Sequence, residues 1–93
     1  MNMHSAKSNK SFRQHVLDIV AAIPRGQTRT YKQVAAAAGS PNAARAVGTI
    51  MKSNYDPKIP CHRVIRSDGK PGEYNRGGPA AKTKILLNEG ARI

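Results

Sequence analysis

Long apolar runs are missing from this chain. The longest, such as Val34 to Ala38, fall far short of the roughly 20 residues a membrane-spanning helix needs. Residues 1–10 are polar and lysine-bearing, with no apolar segment behind them that would make a signal peptide. A soluble, cytoplasmic protein with no membrane association is the expectation. Cysteine is almost absent too. Cys61 stands alone, so no disulfide can form within the chain and an oxidising compartment offers it nothing. That cysteine and the histidines at 4, 15 and 62 show no metal-ligand spacing, and neither a metal nor another cofactor is expected.

Acidic residues are scarce. Five Asp and Glu face sixteen Lys and Arg, a formal charge of +11 on 93 residues. Such an excess on so small a protein points to a polyanionic partner. The cations are not gathered into one amphipathic stripe, which argues against a helix lying on a membrane. Hydrophobic residues make up 39% of the chain, too many for a disordered tail. The length suits one small domain with a modest core. Residues 1–10 read as a flexible leader and residues 11–93 as the domain.

Phe12, Val16, Ile19, Val20 and Ile23 recur at helical spacing behind a Ser11/Gln14 capping pair, predicting a helix over 12–23 that Pro24 and Gly26 end. Thr30 and Gln33 form a second capping pair and open a helix from Tyr31 to about Ala38, stopped by Gly39. Ser40 as N-cap and Pro41 at the first helical position predict a third helix reaching about Ser53. Two short helices about a glycine-containing turn resemble a helix-turn-helix. The third helix carries Ala43, Ala44, Ala46 and Gly48 around one long cation, Arg45. Small side chains permit tight helix packing or a close approach to another surface, and the lone arginine favours insertion into a DNA groove. Residues 54–78 are rich in Pro, Gly, Asn and Asp and predict loops with one short strand near Arg63 to Arg66. A last helix starts at Gly78–Pro79, carries Ala81, Ile85, Leu86 and Glu89 at helical spacing, and closes at Gly90.

A single cysteine is most often a small buried hydrophobe. Cys61 instead lies in a loop-like stretch between Pro60 and His62–Arg63, where neighbouring cations can favour the thiolate. The segment Ile59-Pro60-Cys61-His62-Arg63-Val64-Ile65 resembles the active-site signature of the alkylguanine-DNA alkyltransferases, the methylated-DNA–protein-cysteine methyltransferases. Ile23-Pro24-Arg25-Gly26 leading to Thr30-Tyr31, then Arg45-Ala46-Val47-Gly48, resemble the family's approach to its DNA-binding motif and its recognition helix. Asn54 with Pro57, Tyr74 with the glycines after it, Lys82, and Leu86-Leu87-Asn88-Glu89-Gly90 continue the likeness, which covers about residues 12–91.

The resemblance implies a mainly α, small winged-helix-like domain with a helix-turn-helix and a short strand and loop region at the active site. It implies that Cys61 attacks the alkyl carbon on the exocyclic oxygen of guanine and keeps the alkyl group as a thioether, so the protein is consumed. His62 would be the base toward Cys61 through a water, and Glu89 would orient His62 as the third member of the relay. The guanine leaving group needs a proton or hydrogen bond as it departs. Tyr31 resembles the family tyrosine that supplies it and that turns the 3′ phosphate as the base flips. Arg45 would fill the vacated stack, with Ala43, Ala44, Ala46 and Gly48 against the minor groove. Met51, Val64, Tyr74 and Asn75 match positions lining the alkylguanine pocket, and Asn54 matches a hinge tying the recognition helix to the cysteine loop.

The implied partner is double-stranded DNA containing alkylated guanine, and the protein is expected to be a monomer. The sequence departs from the family pattern in two places. The family's usual N-terminal domain has no counterpart in these residues, and the loop Asn75 to Ala81 is about a residue longer than the commonest pattern, with Asn75 where serine is frequent. An alternative is an alkyltransferase-like damage sensor, which also lacks that domain, holds the lesion and recruits excision-repair proteins. Such sensors replace the cysteine, and Cys61 therefore favours transfer. A helix-turn-helix regulator that never uses Cys61 would leave His62 and Glu89 without a purpose.

Overall fold

The computed structural model describes residues 11–92. The expected leader, residues 1–10, lies outside the described residues. Helix α1, Phe12–Ala21, turns Val16 and Val20 inward at fully buried positions. Only half of the first capping pair forms: Ser11 Oγ accepts from the Gln14 amide at 3.1 Å, but the Gln14 side chain donates forward to Asp18 at 2.9 Å. The helix stops two residues before Ile23. A residue preceding proline is pushed out of the helical region, and Ile23 closes a tighter turn onto Val20 O ahead of Pro24.

Strand β1, Arg29–Thr30, leads without a break into α2, Tyr31–Ala37. Here the capping box is complete, with Thr30 Oγ1 accepting from Gln33 N and Gln33 Oε1 accepting from Thr30 N. Helix α3 is Ala44–Lys52, three residues later in onset than the sequence predicts. Ser40 and Pro41 do not cap it. They form a turn in which Ala43 N donates to Ser40 O at 2.9 Å, with proline at the second turn position, where its fixed φ is equally at home. Ala43 becomes the N-cap and makes no side-chain capping bond. Helices α2 and α3 form the helix-turn-helix, and both pack on α1.

The expected strand near Arg63 to Arg66 divides in two. Cys61–Arg63 is a single 3-10 turn, and only Val64–Ile65 forms strand β2. It pairs in parallel with β1, Arg29 opposite Val64 and Thr30 opposite Ile65. A two-residue strand such as β1 has no periodicity to detect, yet this pairing sets the start of α2 beside the cysteine turn. Helix α4, Gly78–Asn88, presents Lys82 and Leu86 inward, four residues apart on one face. The main core joins α1, α2 and α3 through Val16, Val20, Val34, Val47 and Ile50, and Cys61 and Val64 belong to it. Leu86, Ile65 and Ala91 form a smaller cluster under α4. The described residues thus make a mainly helical fold of four α-helices and one short parallel strand pair. None of these helices is long and apolar enough to cross a membrane.

Candidate active site and nucleic-acid interface

Cys61 is 3% exposed and opens the 3-10 turn, where its amide donates to Ile59 O at 2.8 Å. Above it lies a cavity of about 1000 Å³. Tyr31 from the start of α2, Ala44, Arg45, Gly48 and Met51 from α3, and Tyr74 and Asn75 from the loop before α4 all line it with Cys61. Lys32, Lys52, Arg66 and Lys70 also reach its wall, against one acid, Glu73, which sits 3.8 Å from Lys52. The space is therefore walled by apolar and small residues near the thiol and surrounded by positive charge.

Behind the cysteine is a closed cluster of charged groups. His62 Nε2 lies 2.9 Å from Glu89 Oε2. Arg63 grips the same carboxylate with two bonds, Nε to Oε1 and Nη2 to Oε2, both 2.9 Å, and donates Nη1 to Ile23 O at 2.8 Å. The Arg63 bonds, aided by His62, outweigh burial and hold the Glu89 carboxyl at about 2, below its ordinary 4.5. The same pairing raises Arg63 further above its usual value. An ionised carboxylate only accepts, so the proton in the His62–Glu89 bond belongs to His62 Nε2. That leaves Nδ1 as the nitrogen able to receive a proton. Among the described residues no hydrogen bond joins the Cys61 thiol to His62.

Glu89 is the C-cap of α4, a position the helix dipole disfavours for an anion. Two partners at 2.9 Å explain why it is tolerated. Gly26 completes the enclosure: it has φ +87°, and a Cβ there would stand 2.9 Å from Glu89 O. The turn after α1 is thus pressed against the end of α4. Arg63 is consequently not a cation for the thiol, as its place in the sequence suggests, because its guanidinium is spent on Glu89 and Ile23.

On the other flank Tyr31 is half-buried, and Lys82 Nζ donates to its hydroxyl at 3.2 Å. Burial first, then the nearness of Cys61 and Glu73, raises the Tyr31 hydroxyl above its ordinary 10, while Arg66 pulls the other way. Burial lowers Lys82 to about 8, with Cys61 opposing.

Along α3, Arg45 is exposed, Ala46 is exposed, and Ala44 and Gly48 are partly open. Ala43 packs partly against the core from the N-cap position. Asn54 is buried, and its Oδ1 accepts from Asp56 N at 3.3 Å, within its own turn. The longer-range tie runs through Asn75. Its Nδ2 donates to Met51 O, Lys52 O and Asn54 O at 3.3, 2.7 and 2.8 Å, which ties down carbonyls in the last turn of α3 and just beyond its cap. Val64 is the one expected pocket residue placed elsewhere. As a strand residue beside the turn it points into the core, fully buried, and is not part of the cavity wall. Sequence reasoning missed the double grip of Arg63, the burial of Lys82 and the tie made by Asn75. The only signals were that the first two lie inside the motifs.

Comparison with known proteins fits this geometry. A family profile described as the DNA-binding domain of 6-O-methylguanine DNA methyltransferase matches residues 11–91. The mouse methylated-DNA–protein-cysteine methyltransferase is 48% identical over 89 residues, 94% of this chain and 42% of the mouse protein. The human protein of that name is 44% identical over 92 residues, 97% of this chain and 44% of its own length. The chain thus spans less than half the length of these curated relatives. Among solved structures, Mycobacterium tuberculosis OGT in complex with DNA superposes with a TM-score of 0.79 at 41% identity, covering 85% of this chain and 48% of that one. Schizosaccharomyces pombe Atl1, bound to damaged DNA containing O6-carboxymethylguanine, gives 0.78 at 33% identity, covering 100% of this chain and 82% of that one.

Proposed function

The chain belongs to the 6-O-methylguanine DNA methyltransferase family through its DNA-binding domain, and from that premise we propose that it repairs DNA by moving an alkyl group from guanine onto Cys61. The observation that carries this reading is the position of the chain's single cysteine. It forms the floor of a cation-edged cavity and is followed at once by a histidine fixed to an ionised glutamate.

The cations around the cavity draw the protein to duplex DNA through its phosphates, so binding weakens steeply as salt rises. The reacting oxygen is buried in the duplex, and the nucleotide must turn out into the cavity. Arg45, exposed on a helix face of small residues, takes the place of the flipped base, and Ala44 and Gly48 let that helix approach closely. The Cys61 proton leaves toward His62 Nδ1, and the imidazolium that results is stabilised by Glu89. The sulfur–carbon bond forms as the carbon–oxygen bond breaks, and the electron pair goes to the guanine. Tyr31, on the cavity wall, supplies the hydrogen bond or proton the departing base requires. Met51, Tyr74 and Asn75 enclose the base, Asn75 also holding the end of α3. The thioether has no route back to a thiol, so each molecule acts once, as a monomer.

Intact-protein mass after incubation with a 6-O-methylguanine duplex, beside an unmodified duplex, tests the reading. A gain of one methyl in place of hydrogen, on the peptide holding Cys61, is expected. No gain, with the lesion duplex still bound more tightly than the control, would replace transfer with damage sensing.

A further inference from the structure

The cavity has two walls that belong to different parts of the fold. Arg45, Gly48 and Met51 stand on α3, which packs on α1 and α2. Tyr74 and Asn75 stand on the loop before α4, and α4 packs on the cysteine turn. Two consecutive side chains join these walls. Asn75 Nδ2 donates to Met51 O, Lys52 O and Asn54 O, the shortest bond at 2.7 Å, and Arg76 Nη2 donates to Asp56 O at 3.0 Å. They clasp the end of α3 and the segment that leads from it toward the cysteine. The Lys52–Glu73 pair spans the same gap at 3.8 Å, but both side chains are mostly exposed and such a pair adds little.

The chain is shaped to make this clasp. Gly78 N donates back to Tyr74 O at 2.9 Å, and Gly77 and Gly78 take φ +129° and +80°, where a Cβ is unwelcome. That turn sends the chain into α4 and leaves Asn75 and Arg76 facing back toward α3. Asn54 makes no such reach with its own side chain. Its Oδ1 accepts from Asp56 N within one turn, and its Nδ2 has no hydrogen-bond partner among the described residues. Arg76 is not part of the cavity wall, so its bond bears on the spacing of the walls and not on what lies between them.

We propose that Asn75 and Arg76 are positioning residues that couple the seating of α3 on DNA to the closing of the cavity around the flipped base. This rests on the transfer reading. Turning a nucleotide out of the stack loads α3 from the DNA side. A wall joined to α3 by these four hydrogen bonds moves with it, and the base then meets Tyr74 at the spacing that Cys61 requires. With the clasp cut, α3 still binds DNA but the far wall no longer follows. A misplacement of about 1 Å at the reacting atoms costs about 100-fold in rate.

The test is single-turnover transfer by the full chain from a 6-O-methylguanine duplex and from a single-stranded oligonucleotide holding the same lesion, which offers α3 no groove. Asn75→Ala should slow duplex transfer about 10- to 100-fold and single-strand transfer less than about threefold, with affinity for unmodified duplex within about twofold. Arg76→Met should show the same pattern at about 3- to 10-fold. In the Asn75→Ala background it should cost less than it does alone, since both changes cut one clasp. Equal slowing on the two substrates overturns the proposal and leaves Asn75 a contact to the base or a support of the fold. Unchanged duplex rates overturn it as well. Should Asn75→Ala not fold, Arg76→Met decides by the same comparison, because its side chain is not buried. Where the parent uses the duplex alone, Arg76→Met should slow transfer while its affinity for unmodified duplex holds, and an equal loss of both overturns the proposal. A parent that gains no alkyl group from either substrate overturns the transfer reading and this inference with it, whereas a parent that transfers normally isolates the role of the clasp.

Discussion

The two flanks of Cys61 are built in opposite ways. Toward His62 every charge is matched: the Glu89 carboxylate has an imidazole and a two-pronged guanidinium, and Arg63 places a third donor on Ile23 O. Toward Tyr31 a buried ammonium meets only a hydroxyl and a carbonyl. The matched side stabilises one arrangement and keeps a single proton tautomer on His62. The unmatched side leaves its ammonium facing neutral oxygens beside the cavity wall. A chain of 93 residues has little stability to spare, and among the described residues its fully buried charge without an acidic partner lies on the Tyr31 flank.

Substitutions can break this contrast, beginning with its centre. Cys61→Ala should abolish transfer while lesion-duplex binding survives, checked by mass and by electrophoretic shift; any residual methylated protein would remove Cys61 as the nucleophile. Glu89→Gln attacks the matched flank. It should slow transfer about 10²- to 10³-fold by losing the fixed tautomer and its charge. It should also destabilise the fold by about 3–5 kcal/mol in urea titration, since Arg63 is left uncompensated. Equal stability of parent and variant would mean the cluster is not a structural clamp.

Arg45→Ala leaves both flanks intact and should act before chemistry. Repair of duplex lesions should slow about 10-fold while single-stranded substrate is hardly affected, because flipping costs a few kcal/mol only in a stacked duplex. Equal losses on both substrates would place Arg45 elsewhere in the process. Gly26→Ala presses on the matched flank from outside. Its positive φ and the 2.9 Å approach to Glu89 O should cost about 1–3 kcal/mol of stability. The smallest effect is acid sensitivity. Glu89 titrates at about 2 in the fold and near 4.5 when free, so its contribution is complete above 4.5 and lost as pH falls toward 2. Thermal midpoints measured across that window should decline in the parent, with a shallower slope in Glu89→Gln.

Much of this was legible from residue order. The helices at either end announced themselves by spacing and by the residues that stop them, and the Thr30/Gln33 capping box formed in full. The onset of α3 was not legible, because Ser40–Pro41 satisfies a turn as well as a cap and only tertiary packing decides between them. Strand β1 is two residues long and exists through its partner 35 positions away. At the site, Cys61, His62 and Glu89 could be nominated from motifs. The direction of Arg63, reaching across 26 residues, and the burial of Lys82, bonded across 51, could not. A lysine in a helix ordinarily faces water, and nothing local says that this one stands four residues from Leu86 on the buried face.

The most direct test of the central claim is a titration of limiting protein against excess 6-O-methylguanine duplex, with restored guanine counted at completion. The account predicts that repair stops at one guanine per protein chain and that added lesion never restarts it. Continued repair beyond one per chain, or none at all, would contradict a cysteine that acts once and keeps what it takes.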